Sequence, residues 1–399
     1  MGHLLRAVLA AAGLGMLALA PAQAQGNEPV VKVGIVGPFS GPFSGTFGTP
    51  FRQGVEAYAA QHGKLAGKVR VEFVYRDLEG PNPEKAKALA QELIVKEKVQ
   101  YLGGFVFTPN ALAVAPLISS AKVPTVIFNA STSMIVTKSD YFLRTSNTLP
   151  QVTVPTAKFA LEQGVKKVVT AVSDYGPGID AESSFKAAFE AGGGKVVESI
   201  RMPVNASDFG PFMQRVRALK PDVLFGFLPA GPPTFGFVKA YNENGLRADG
   251  IRFLATAETV ETDLQALGGA AVGLETGYFY SAVHDSPENK AFLNSVAKVS
   301  ASAVANPYTV SAFDGAHLIY KMIEAVGVEK NPAKAMEAVK GLSWNSPRGP
   351  VRIDAGTRDI VQNVYMRRVD RDAAGKLVNR EFKTYEMQRD YGRDGGGKS

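Results

Sequence analysis

Short apolar runs alternate with helix-length amphipathic segments along most of this chain, and the series runs twice. The first run, Val31, Val33, Ile35 and Val36, is nearly continuous, as in a parallel strand covered on both faces. Further strands are predicted at 69–75, 101–105 and 124–128. Between them lie a helix that opens at Pro83, marked by Ala86, Leu89, Ala90, Leu93 and Ile94 three and four apart, and another at 111–121. After Phe142-Leu143-Arg144-Thr145 the series restarts, with helices predicted at 152–163, 179–191, 209–219 and 235–244 and strands at 167–172, 196–200, 223–227 and 251–255. An α/β chain of this pattern makes parallel sheets with helices on both faces. Two series make two lobes. A strand at 278–280, helices at 287–299, 309–326 and 332–339, and strand-like segments at 349–354, 363–369 and 382–387 carry the chain back, which implies a cleft between the lobes.

Residues 1–24 read as a secretory leader: a cation at Arg6, an apolar stretch at 7–20 too short to span a bilayer, and the small-residue cleavage pattern Ala22-Gln23-Ala24. The mature chain is expected to begin at Gln25. With no cysteine there is no disulfide framework, thiolate metal site, Cys nucleophile or lipidated anchor, so the expectation is a periplasmic protein enclosed by an outer membrane. The formal charge of +7, lowered by one when Arg6 leaves, is dispersed apart from Arg367, Arg368 and Arg371. It reads as solubility rather than as a nucleic-acid surface. The end, 391–399, is expected to be a disordered Gly-rich tail.

Catalysis finds little support, and no enzyme, metal or cofactor is expected. His3, His62, His284 and His317 stand apart from one another and from carboxylate clusters. Ser183-Ser184-Phe185-Lys186 fits S-x-x-K but lies inside a predicted helix without companion motifs, and no Gly-rich run matches a phosphate or dinucleotide fingerprint. Binding is better served. The first strand runs into Gly37, Pro38, Gly41, Pro42, Gly45 and Gly48, a connection longer than the roughly two to six residues usual for a βα loop. Open α/β sheets bind ligands at the carboxyl ends of their strands. There this chain offers Phe47, Phe107, Thr108, Phe128, Ser131, Thr132, Tyr175, Leu228 and Glu258, at the openings of helices whose dipoles and free amides suit a small carboxylate.

At these residues the sequence resembles the periplasmic leucine/isoleucine/valine-binding family, the type I substrate-binding proteins of ABC transporters. The resemblance is carried by Ser40-Gly41-Pro42 with Phe47-Gly48, the Tyr175-Gly176-x-Gly178 turn, Asp208-Phe209 and Gly349-Pro350-Val351. It implies two Rossmann-like lobes joined by a three-strand hinge, divided as 25–146 with 277–355 and 147–276 with 356–390. It implies closure on a small solute and docking on a permease, as a monomer. By family position, Phe47 is the aromatic of the first loop and Thr108 a small hydroxyl residue for the carboxylate. Ala130 and Thr132 match residues that hold the amino and carboxylate groups, and Tyr175 matches the second-lobe tyrosine. Glu258 approximates, one place out of register, the acid that holds an ammonium. The family aromatic after the fifth or sixth strand falls in Leu228-Pro229-Ala230-Gly231. The expected ligand is a small hydrophobic carboxylate, either a branched-chain amino acid or an aromatic acid. The alternative function is a sensor of amides, urea or amino acids that regulates a partner.

Overall fold

The computed structural model describes residues 28–393, so the expected leader, its cleavage after Ala24 and the glycines at 394–399 lie outside the described residues. The first series is β1 (Val30–Gly37), a helical turn at Ser44–Gly48, α1 (Thr49–His62), β2 (Leu65–Ala66), β3 (Val69–Asp77) and α2 (Pro83–Val95). It continues through β4 (Tyr101–Gly104), α3 (Thr108–Ala121), β5 (Thr125–Ile127) and β6 (Phe142–Arg144). Its sheet has the order β2-β3-β1-β4-β5-β6, parallel except for the short β2 on the edge.

The second series is α4 (Leu149–Glu162), β7 (Lys167–Ser173), α5 (Gly176–Ala191), β8 (Lys195–Met202), α6 (Gly210–Leu219) and β9 (Val223–Phe227). Then come α7 (Pro232–Glu243), β10 (Arg252–Ala255), α8 (Leu264–Leu267) and β11 (Glu275–Tyr278). The chain returns to the first lobe as α9 (Pro287–Val299), α10 (Pro307–Val326) and α11 (Pro332–Val339). Gly54 of α1 allows the closest approach there, since a Cβ on it would stand 2.1 Å from the Thr309 carbonyl oxygen of α10. The chain ends in β12 (Ser343–Ser346), β13 (Gly349–Ile353), β14 (Ile360–Arg371) and β15 (Leu377–Gln388). These antiparallel strands extend the second sheet, whose order is β12-β13-β14-β11-β10-β9-β7-β8 with β15 on β14.

Two sequence-based boundaries differ from this. A division at 355 parts β13 from β14, whereas Val351, Arg352 and Ile353 pair with Gln362, Val361 and Ile360 in one ladder. Residues 391–393, read as disordered tail, form a helical turn. It is held because the Gly392 amide donates to Asp390 Oδ1 at 2.9 Å and Arg393 Nη2 pairs with Asp359 at 3.3 Å.

Arg348 binds the crossings together. Its fully buried guanidinium pairs with Asp314 of α10 at 2.8 Å, donates to the Thr145 carbonyl in the first crossing at 3.0 Å, and lies 4.5 Å from the ring centre of Phe279 in the second. Arg348 itself sits in the turn between β12 and β13 of the second sheet.

Candidate functional site

The segments that follow β1, β4 and β5 meet those that follow β7, β9, β10 and β11 across the cleft, around a small, tightly closed chamber. Six of the sequence-predicted residues line it: Phe47, Phe107, Thr108, Ser131, Tyr175 and Leu228. Phe47, Phe107, Tyr175 and Phe227 make aromatic walls, with Phe47 and Phe107 rings 6.1 Å apart and Tyr175 stacked on Phe227 at 6.4 Å.

Four predicted residues stand behind the lining. The Phe128 ring is buried against Phe51 at 5.3 Å, in space left by Gly103 and Gly315, where a Cβ would come within 2.5 and 2.1 Å of it. The Ala130 carbonyl accepts a hydrogen bond from Arg144 Nη1 at 2.9 Å. Thr132 Oγ1 shares a hydrogen bond of 2.9 Å with Thr108 Oγ1, so it positions a residue of the lining. Glu258 is fully buried, and its two carboxylate oxygens accept the Leu228 amide at 2.9 Å and the Thr256 amide at 2.8 Å. It therefore clasps the ends of the neighbouring strands β9 and β10. Burial pushes its carboxyl up to about 7 against the pull of those amides.

The chamber also takes in residues that the sequence reading passed over: Asn147 in the first crossing, Thr256, Tyr278 at the end of β11, and Tyr308 in the first turn of α10. Tyr278 donates to Asn147 Oδ1 at 3.3 Å. Burial raises the hydroxyls of Tyr175, Tyr278 and Tyr308, so all three remain neutral donors and acceptors.

Among the described residues no Asp, Glu, Lys, Arg or His lines the chamber. Its electrostatic feature is a pair of bare helix starts. Side-chain caps from Asn82, Thr148, Ser286, Asn306 and Asn331 close α2, α4, α9, α10 and α11. The starts of α3 and α5, at Phe107 and Tyr175, have none, as is also true of α1, α6, α7 and α8, but these two open beside the chamber. Pro109 and Pro177 carry no amide hydrogen, so the first-turn amides left to donate are those of Thr108, Gly176 and Gly178. The two starts converge, since a Cβ on Gly176 would lie 3.4 Å from Thr132 Oγ1 and 3.8 Å from Thr108 Cγ2. Paired positive dipole ends beside hydroxyls form a site for a small anion, and aromatic walls favour one with an apolar body.

A sequence model of a periplasmic binding protein matches residues 30–376. This chain belongs to that family. Among members of the periplasmic binding protein family, the Leu/Ile/Val-binding protein homolog 6 of Brucella abortus is 51% identical over 390 residues, which are 96% of this chain and 98% of that protein. The crystal structure of a solute-binding protein of an ABC transporter from Rhodopseudomonas palustris HaA2, in complex with p-hydroxybenzoic acid, is 54% identical with a TM-score of 0.89. It covers 91% of this chain and 99% of that one. A second, from the BisB5 strain in complex with 3,4-dihydroxybenzoic acid, is 39% identical with a TM-score of 0.86 over 91% and 99% of the two chains.

Proposed function

We propose that this periplasmic binding protein captures an amine-free aromatic carboxylate of the hydroxybenzoate type in the interlobe chamber and delivers it to the permease of an ABC importer. It acts as a receptor and not as an enzyme, as a monomer, in the periplasm, after export and removal of the leader. The observation that carries the reading is the uncharged lining. An α-amino acid would bring its ammonium into a closed, water-poor space with no anion to meet it, at a cost of several kcal/mol. Glu258, buried next to the lining residue Ala257, has both oxygens engaged by main-chain amides. A carboxylate instead finds Thr108, Ser131 and the starts of α3 and α5. Its ring finds Phe47, Phe107, Tyr175 and Phe227, and the Tyr278 and Tyr308 hydroxyls suit a polar ring substituent. The hydroxybenzoate complexes of the two Rhodopseudomonas relatives support this choice.

The name of the Brucella relative favours a second reading, a branched-chain amino acid as ligand. Thermal unfolding in the presence of 4-hydroxybenzoate, benzoate, leucine and valine separates the two. At a hundred times its dissociation constant the true ligand stabilises the fold by about 2.7 kcal/mol. Stabilisation by leucine or valine with none by the aromatic acids would overturn the proposal.

A further inference from the structure

One residue outside the chamber on each lobe, the walls are fastened to each other. Phe47 lines the chamber, and its neighbour Thr46, buried in the turn that precedes α1, donates its hydroxyl across the cleft to Asp263 Oδ1 at 2.9 Å. Ala230 lines the chamber, and the amide of its neighbour Gly231 donates to Asp263 Oδ2 at 2.8 Å. Asp263 is itself buried and leads into α8 of the second lobe. A second bridge lies alongside: the Asn306 side-chain amide, at the start of α10, reaches the Thr46 carbonyl and the Thr262 hydroxyl, each at 3.1 Å. On the far side Thr46, Thr262 and Asp263 face an open groove together with Gln53 and Phe235. The Thr46–Asp263 contact is thus the seam that separates the chamber from that groove. A hydroxyl given to a carboxylate in such a place is worth more than an ordinary surface contact.

We propose that Thr46 and Asp263 form an interlobe latch that holds the cleft closed whether or not a ligand is inside, and that Thr46 is a positioning residue for ligand retention. The inference rests on the cleft being the binding site and is indifferent to which carboxylate enters. The latch is a bond of the closed state only, so its loss moves the open–closed balance and the escape of the ligand while leaving encounter with the open cleft unchanged. Asp263 also holds Gly231 within its own lobe, so Thr46 is the cleaner side to alter.

The chain has no cysteine, so a pair introduced by Val95→Cys on the first lobe and Leu219→Cys on the second, both at exposed positions, takes spin labels cleanly. Distances measured without ligand are expected to include the closed separation in the parent. Thr46→Val should shift the distribution toward longer distances, and Thr46→Ser should restore it. With 4-hydroxybenzoate as the probe, Thr46→Val should raise the dissociation rate about tenfold, while the association rate should rise with the fraction of unliganded protein that is open and should not fall. Identical distance distributions for the parent and Thr46→Val without ligand would overturn the latch. Failure of the parent to bind 4-hydroxybenzoate would instead count against the choice of ligand, and the distances would still decide the latch.

Discussion

Both oxygens of Glu258 are taken by main-chain amides at the ends of β9 and β10, so its carboxylate serves the floor of the chamber and not the ligand. Glu258→Gln should then cost less than about 1 kcal/mol in binding of an aromatic acid, whereas removing the partner of a buried ammonium costs about 2–5 kcal/mol. Calorimetry on the variant reads the difference. The same residue sets a pH dependence. Burial raises its carboxyl from 4.5 to about 7, so across that interval the folded chain keeps a proton that the unfolded chain has lost. Stability falls as pH rises through the window, by about 3 kcal/mol in all, and the loss is complete above it. Urea unfolding at pH 5 and pH 7.5 should show that extra loss in the parent and not in Glu258→Gln. Thr108 has the opposite character, because its hydroxyl opens into the lining and is steered by Thr132 at 2.9 Å. Thr108→Val keeps the shape and removes a donor to an anion, which should weaken binding by about 1.5–3 kcal/mol with little change in stability.

At the scale of elements, the helices that shape the site begin earlier than their apolar spacing suggests. Periodicity marks 111, 179 and 235, while α3, α5 and α7 start at Thr108, Gly176 and Pro232. The intervening Pro109, Pro177 and Pro232 fit a first turn, so residues that read as loop are helix starts with amides to offer. Lobes, sheets and six lining residues are therefore legible in local patterns, since five of the six lie within four residues of a strand end and Phe47 falls in the long Gly- and Pro-rich connection after β1. Asn147, Tyr278 and Tyr308 are not. They reach the chamber from a crossing, from the last strand before the return and from α10, and only the closing of the two lobes brings them together. Phe128 was misleading for a related reason: whether a ring at a strand end turns to the cleft or the core depends on Gly103 and on Gly315, far along the chain. Gly54 shows the same dependence between elements. In Gly54→Ala the new methyl group meets the Thr309 carbonyl and forces α1 away from α10, so the urea midpoint should fall by the equivalent of about 1–3 kcal/mol.

For the molecule as a whole, the crossings make a hinge whose closure can be measured, and one buried arginine ties the first two of them to the β12–β13 turn. Ligand contacts from both lobes select the closed state, so Thr46→Val, which opens without ligand, should show compaction in small-angle scattering at saturation, and an unchanged radius of gyration in that variant would exclude the cleft as the site. Arg348→Met strands Asp314 without its cation and should destabilise the fold by about 3–5 kcal/mol, while adding Asp314→Asn should recover much of the loss in chemical denaturation. The uncharged chamber bears on the surroundings in which such a protein works. Mobile ions screen charges they can approach, but they do not enter a closed space whose hold on an anion comes from helix starts and hydroxyls. The rate at which solute leaves should therefore be the same in fresh water and in brine. Salt should show itself only in the rate of arrival, because the positive charge on the outside draws anions less strongly as ionic strength rises.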